Sequence, residues 1–181
     1  MKILTIPNIL TLFRFFVIPF VVYNIYISNF YTALFLIFIA VLTDGLDGFI
    51  ARKFDQTSKL GKIIDPLADK LLVISSLVTV YFNKDINFSS ILITAIIFRE
   101  VYILAGGLLL LMKSKRFKIA PTIVGKITAF CEFMMLILII LNQVTARLSY
   151  LLNLSLWAVI IMLIISFVQY SVMGFKYLSD E

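Results

Sequence analysis

The sequence has no histidine and a single cysteine, Cys131. Without histidine, the Ser-His and Cys-His nucleophile pairs and the histidine-rich metal sites are all excluded. One cysteine excludes an intramolecular disulfide and a thiolate metal site, and its apolar neighbours indicate a small buried side chain. Any chemistry must therefore use carboxylates, lysine, arginine or hydroxyl groups.

Charged residues are also scarce, at 14% of 181 residues, whereas hydrophobic residues make up 62%. The mean hydropathy is +1.07, and this composition lies well outside the usage of soluble domains. Apolar runs recur that are long enough to cross a hydrocarbon core, which takes about 20 helical residues. The composition predicts an all-α integral membrane protein that forms one domain, residues 1–181.

Six apolar segments predict six transmembrane helices, at roughly 6–27, 31–52, 65–82, 89–112, 121–141 and 148–170. Ten Lys and Arg residues lie on the side that holds both termini, and two, Lys84 and Arg147, lie on the other. By the positive-inside tendency, both termini are expected in the cytoplasm. Anionic membrane lipid explains the net charge of +6, so no nucleic-acid partner is expected.

The aspartates are concentrated in "TDGLDGFIARKFDQTSKLGKIIDPLADK", residues 43–70, which holds five of the seven. Asp44 and Asp47 end the second predicted span, and Asp65 and Asp69 begin the third. On each helix the carboxylates share a stripe with small residues, because Asp47 lies about 60° from Asp44 and Asp69 about 40° from Asp65. The two pairs can therefore face each other beside a small pocket.

Four close carboxylates cannot all stay ionised unless cations neutralise them. Oxygen ligands without His or Cys favour Mg²⁺, Mn²⁺ or Ca²⁺, and carboxylates shared by two such cations commonly clamp a phosphoryl group under attack. Structural alternatives stay open: Asp65 could cap a helix that starts at the following proline, and Arg52, Lys62 or Lys70 could pair with one carboxylate. Asp55 is expected to be solvated.

The spacing of this stretch carries a resemblance. Its fixed positions, eight residues within 26, are Asp44, Asp47, Gly48, Ala51, Arg52, Gly61, Asp65 and Asp69. The pattern resembles the signature of the CDP-alcohol phosphatidyltransferases and matches it at every fixed position. The six-span layout, with the signature joining spans two and three, is also similar to that family.

The resemblance implies roles for these residues. Two divalent cations, Mg²⁺ or Mn²⁺, would be held by Asp44, Asp47, Asp65 and Asp69. The cytidine diphosphate part of the donor would lie against Gly48, Ala51, Arg52 and Gly61. Asp69 would also be the general base toward the acceptor hydroxyl. The family further implies a homodimer in the bacterial cytoplasmic membrane, with its active site on the cytoplasmic side.

The segment "PNILTLFRFFVIP" resembles the amino-terminal stretch of the same family. Asn8, Thr11 and Arg14 follow one another at three-residue spacing and so lie along one side of the first helix. We expect Asn8 and Arg14 to line the donor site. The alternative is that Asn8 caps this helix and that Arg14 extends its charge to the lipid headgroups.

Arg99 and Lys126 lie in spans four and five, where an unpaired charge is costly. We expect both to clamp a phosphate on the acceptor, and the structural alternative is pairing with Glu100 or Glu132.

The identity of the acceptor is the most open question. The segments "PNILTLFRF" and "GKIIDPLADKLL" look most like family members that join CDP-diacylglycerol to sn-glycerol 3-phosphate, forming phosphatidylglycerophosphate and CMP. These members often have another arginine soon after the Arg-Glu pair of span four, and it is missing after Arg99-Glu100. The alternative is a CMP-forming cardiolipin synthase, whose acceptor is phosphatidylglycerol.

A small divalent-cation or solute transporter is the alternative from another class. It fits less well, because the acids cluster at one membrane face and no internal repeat is visible.

Overall fold

The computed structural model describes the backbone of residues 6–53, 61–113 and 122–179, and the side chains of residues 9–45, 64–65, 67–106 and 122–176. This described part contains six α-helices and no strand. The helices are α1 (Ile6–Tyr26), α2 (Phe30–Lys53), α3 (Gly61–Phe82), α4 (Ser90–Lys113), α5 (Ile123–Thr145) and α6 (Ser149–Ser179). The all-α expectation is therefore confirmed.

Within the described residues, three of these helices are long and apolar enough to cross a membrane. The qualifying segments are Ile9–Tyr26 in α1, Ile123–Thr145 in α5 and Ser149–Lys176 in α6. Large apolar side chains point outward on several helices, with Phe16, Phe98, Trp157 and Ile164 between 60% and 65% exposed. Such a surface suits contact with lipid, so these helices and their exposed faces support a membrane protein.

Side-chain caps begin two of the helices. Asn29 precedes α2, and its side-chain oxygen accepts a hydrogen bond from the Thr32 backbone N–H at 3.4 Å. Thr122 precedes α5, and its hydroxyl oxygen accepts one from the Gly125 backbone N–H at 3.0 Å. Both bonds satisfy an N–H that the helix itself leaves without a partner.

The helices fall into two compact units. Unit 1 comprises Met1–Asn87 with Ile140–Ala146, and unit 2 comprises Phe88–Ile139 with Arg147–Glu181. In unit 1, α1 packs against both α2 and α3. Its buried residues include Val21 and Ile25 from α1, Ala33 and Ala40 from α2, and Ala68 from α3. Small alanines let the helix backbones approach closely, as in membrane helix pairs.

One end of unit 1 is tied together by Asn83, which follows α3 and is 5% exposed. Its side-chain amide donates to the carbonyl oxygen of Ile25 at 2.7 Å and to the Ser28 hydroxyl at 3.1 Å. Ser28 adopts the left-handed conformation, with φ of 60°, and its hydroxyl donates to Asp85. These bonds join the turn after α1 to the end of α3.

In unit 2, α4 packs against α6. Two aromatic contacts support this pairing: the rings of Tyr102 and Phe167 are centred 4.8 Å apart, and those of Phe98 and Phe167 6.2 Å apart. The Tyr102 and Ser171 hydroxyls lie 3.0 Å apart and share a hydrogen bond. Residues from α5 also contribute to the interior, including Met135 and Leu136, both fully buried.

Candidate active site

The buried stripe of α1 becomes polar toward the helix's amino end. Ile25, Val21 and Ile18 follow one another at three- and four-residue steps, and the next two positions in the same series are Arg14 and Thr11. Both are only 1% exposed. Since steps of three and four residues keep one helix face, the face of α1 that packs in unit 1 ends in a cation and a hydroxyl.

The stripes of α2 and α3 end in carboxylates. On α2, the buried series Ala33, Ile37 and Ala40 leads to Asp44 four residues later. On α3, Asp69 lies three residues and Asp65 seven residues before the buried Leu72, so both lie on the same side of the helix as Leu72. The packing of α1 against both helices therefore brings its polar end to these three acids.

Arg14 contacts two of the carboxylates. Its Nη2 lies 2.8 Å from Oδ1 of Asp44, and its Nη1 lies 2.7 Å from Oδ1 of Asp69. The side chain of Asp44 is 49% exposed and that of Asp69 is 51% exposed. One buried guanidinium thus joins α1, α2 and α3, while both of its carboxylate partners stay accessible.

Thr11 makes the corresponding contact to the third acid, because its hydroxyl donates to Oδ1 of Asp65. A hydrogen bond to a charged acceptor is among the stronger ones in proteins. Thr11 and Arg14 together contact all three described carboxylates of the signature.

These contacts remove several structural alternatives. Because α3 begins at Gly61, Asp65 lies within the helix and does not cap its start. Likewise α1 begins at Ile6, so Asn8 lies inside it and cannot be its cap. Arg14 is buried against carboxylates, so its charge does not extend to the headgroups. Asp44 pairs with Arg14, a partner that the sequence did not suggest, and the side chains of Arg52 and Lys62 lie outside the described ones.

Other predicted site residues lie outside the described side chains. Their helical backbone is placed, but their surroundings are not described: Asn8, Asp47, Gly48, Ala51, Arg52 and Gly61. The roles of these residues stay predictions.

Unit 2 contains a second polar cluster, around Arg99 on α4. Its Nε and Nη2 donate to the hydroxyl oxygen of Ser166 on α6, at 3.1 and 2.8 Å. Its Nη1 pairs with Glu100 and lies 4.0 Å from Oε1 of Glu132 on α5. All four side chains are buried. Arg99 therefore has the glutamate partner that the structural alternative predicted.

Gly125, at the start of α5, lies against the same cluster. A Cβ at this position would lie 2.8 Å from the Tyr170 hydroxyl, 3.1 Å from that of Thr122 and 3.7 Å from Arg99 Nη2. The hydroxyls of Thr122 and Tyr170 are themselves hydrogen bonded at 3.2 Å. Lys126, the next residue along the chain, is exposed.

Comparison with known proteins decides the family. The model of the CDP-alcohol phosphatidyltransferases matches residues 4–169. The chain belongs to the CDP-alcohol phosphatidyltransferase family. The resemblance drawn from the signature is thereby confirmed, and so is the prediction that the chain is an enzyme, a phosphatidyltransferase.

Three similar curated proteins carry the name CDP-diacylglycerol–glycerol-3-phosphate 3-phosphatidyltransferase. The protein of Aquifex aeolicus (strain VF5) is 32% identical over 180 residues, which cover 98% of this chain and 100% of the relative. That of Haemophilus influenzae (strain Rd) is 39% identical over 125 residues, 67% of each chain. That of Escherichia coli (strain K12) is 34% identical over 135 residues, 72% of this chain and 74% of the relative.

CDP-alcohol phosphatidyltransferases generally use divalent cations, and the residues of unit 1 fit such ions. The donor atoms are carboxylate oxygens, which hard cations prefer, and Asp44 and Asp69 already bind one cation, the Arg14 guanidinium. Among the described side chains, no group of three or more Asp, Glu, His or Cys residues could hold a metal ion by itself. The predicted ligand Asp47 lies outside those side chains.

Sequence reasoning missed several partners of the charged residues, although it named Glu100 and Glu132 as alternatives for Arg99. It placed Thr11 on the same helix side as Arg14 but assigned it no function, and it did not consider Ser166, Thr122 or Tyr170. The helical series that links Thr11 and Arg14 to the apolar stripe of α1 was visible in the sequence. No comparable local signal links Ser166 to Arg99, because 67 residues separate them.

Proposed function

We propose that this protein transfers a phosphatidyl group from CDP-diacylglycerol to sn-glycerol 3-phosphate, which yields phosphatidylglycerophosphate and CMP. The observation that carries the proposal is the convergence of Asp44, Asp65 and Asp69 on the polar end of α1, with two of the three carboxylates half-exposed. The name of a relative that matches 98% of this chain supports the choice of acceptor.

The metal site of the proposed enzyme consists of Asp44, Asp47, Asp65 and Asp69, which would hold two Mg²⁺ or Mn²⁺ ions. Ions held by these carboxylates would supply positive charge that neutralises the diphosphate and stabilises the departing CMP. The half-exposed side chains of Asp44 and Asp69 support this role, because a ligand can reach them.

Asp69 is the proposed general base. It accepts the proton of the acceptor hydroxyl while that oxygen bonds to the phosphorus that carries the diacylglycerol. The bond from this phosphorus to the bridging diphosphate oxygen breaks, and CMP leaves with that oxygen. The Arg14 contact at 2.7 Å holds the Asp69 carboxylate in a defined orientation.

The donor would lie against Asn8, Gly48, Ala51, Arg52 and Gly61, whereas Arg14, only 1% exposed, would act through Asp44 and Asp69. The acceptor phosphate would be bound by Lys126, and the exposure of Lys126 supports this assignment. Arg99, which the sequence suggested as its partner in this role, is buried and held by Ser166 and Glu100, so we assign it the structural role of the alternative.

In the membrane, we propose six spans, with both termini and the active site on the cytoplasmic side of the bacterial inner membrane. The ten-to-two distribution of Lys and Arg supports this orientation. We further propose that residues 1–181 act as one domain and that the enzyme is a homodimer, as the family resemblance implies.

The test is to identify the lipid formed by the purified protein. CDP-diacylglycerol is supplied with Mg²⁺ and either glycerol 3-phosphate or phosphatidylglycerol, and both CMP and lipid products are measured. We expect phosphatidylglycerophosphate from the first acceptor, and no CMP release when EDTA removes the cation. Product from phosphatidylglycerol alone would instead indicate a cardiolipin synthase, and absence of CMP with either acceptor would contradict phosphatidyl transfer.

A further inference from the structure

The guanidinium of Arg14 is buried, whereas an arginine that binds the donor directly would have to be accessible to it. It is 1% exposed, whereas Asp44 and Asp69 are 49% and 51% exposed. A ligand that approaches unit 1 from solvent can therefore reach these two carboxylates more readily than it can reach the arginine behind them.

The geometry of the contacts is also specific. Arg14 uses one nitrogen, Nη2, for Asp44 on α2 and the other, Nη1, for Asp69 on α3, at 2.8 and 2.7 Å. A guanidinium presents its donors in a rigid planar fork. Two carboxylates that bind separate nitrogens of one fork are thus held at a fixed separation, although they belong to different helices.

We propose that Arg14 is a positioning residue: an internal counter-ion that holds Asp44 and Asp69 together, ready for a divalent cation, while no cation is bound. The inference rests on the proposed function, because it assumes that these two carboxylates are cation ligands. It differs from the donor-binding role expected from the sequence, since Arg14 acts here through the carboxylates.

The proposal has a consequence that depends on the metal. Without Arg14 and without a divalent cation, the like charges of Asp44 on α2 and Asp69 on α3 repel each other, and the packing of both helices on α1 weakens. A bound divalent cation neutralises the same carboxylates, so the variant should recover stability when the metal is added.

The experiment measures thermal unfolding of the purified full-length protein in detergent, in EDTA and in saturating Mn²⁺. We expect Arg14→Met to lower the Tm by several degrees in EDTA, and Mn²⁺ to remove most of this deficit. Arg14→Lys keeps the charge without the fork and should show a smaller deficit of the same kind. If Arg14→Met does not yield folded protein, Arg14→Lys tests whether Mn²⁺ reduces the loss of Tm.

Arg99 provides the matched control, because it is also buried and paired with an acid, but with Glu100 in unit 2. For each of Arg99→Met and Arg99→Lys, the loss of Tm relative to the wild type should be the same in EDTA as in Mn²⁺.

Equal deficits for Arg14→Met in the two conditions overturn the inference. If the wild type then still releases CMP and gains Tm with Mn²⁺, only the inference fails. If the wild type neither releases CMP nor gains Tm with Mn²⁺, the proposed function is wrong, and so is the inference that rests on it.

Discussion

Arg14 in unit 1 and Arg99 in unit 2 are both buried arginines paired with acids, but their acidic partners differ in accessibility. The partners of Arg14, Asp44 and Asp69, are about half-exposed, whereas Glu100 and Glu132 beside Arg99 are 5% and 4% exposed. The first cluster can bind a ligand through its carboxylates. The second is closed by Ser166 and stabilises the packing of α4 and α6. Accessibility of the acids, more than burial of the cation, separates the two roles.

Asp69→Asn should give the largest effect, because it removes the proposed base from the open cluster. General-base catalysis contributes about 10²–10⁴-fold, so we expect kcat for CMP release to fall by about that factor. Asp85→Asn is the control, since Asp85 lies at the other end of unit 1, bonded to Ser28, and should keep near wild-type activity. Full activity of Asp69→Asn would contradict the base assignment.

Arg99→Met should lower stability strongly, because it leaves Glu100 and Glu132 buried without their cation. Removing one partner of a buried ion pair typically costs about 3–5 kcal/mol. Denaturant unfolding in detergent measures this loss. Glu132→Gln, which removes the more distant acid at 4.0 Å, should cost less. If Arg99→Met were as stable as the wild type, the buried cluster around Arg99 would not stabilise unit 2.

The helices of both units were largely predictable from sequence, but most of the contacts between side chains on different helices were not. The first span, predicted at 6–27, corresponds to α1 at Ile6–Tyr26, because long apolar runs define helices almost independently of tertiary context. The third was placed too late, since the proline after Asp65 suggested a start where α3 is already in its second turn.

The candidate site shows the same division. Periodicity predicted that Asp44 and Asp69 lie on facing helices, but it did not indicate Arg14 as their common partner. That pairing depends on how α1 packs against both helices, which local patterns do not encode. Glu100 could be named as a partner of Arg99 because the two are neighbours in sequence. Ser166 could not be predicted, because it lies 67 residues away.

Thr11→Val should weaken metal binding moderately, because the hydrogen bond that orients Asp65 is lost while the side-chain volume is kept. Partners that orient metal ligands typically affect affinity by about 10–100-fold, so we expect the Kd for Mn²⁺ to rise by about 10-fold. Electron paramagnetic resonance of free Mn²⁺ measures it.

Thr128→Val is the matched control for this change. Thr128 is another buried threonine, but its hydroxyl donates to the Val124 carbonyl oxygen at 2.8 Å in unit 2. Its Mn²⁺ affinity should match that of the wild type. Equal loss of affinity in both variants would show that the open cluster does not depend on Thr11.

Gly125→Ala should have the smallest effect, and it tests how tightly the cluster of unit 2 is closed. The added methyl group would lie 2.8 Å from the Tyr170 hydroxyl, and overpacking typically costs about 1–3 kcal/mol. We expect the low end of this range, because the hydroxyl is the far end of a side chain that can shift. Tyr170→Phe removes that oxygen, so the double variant should lose less stability than the sum of the two single changes. If the losses in free energy of unfolding were strictly additive, the methyl group at position 125 would not clash with the Tyr170 hydroxyl. The cluster around Arg99 would then have room for a ligand, which its close packing excludes.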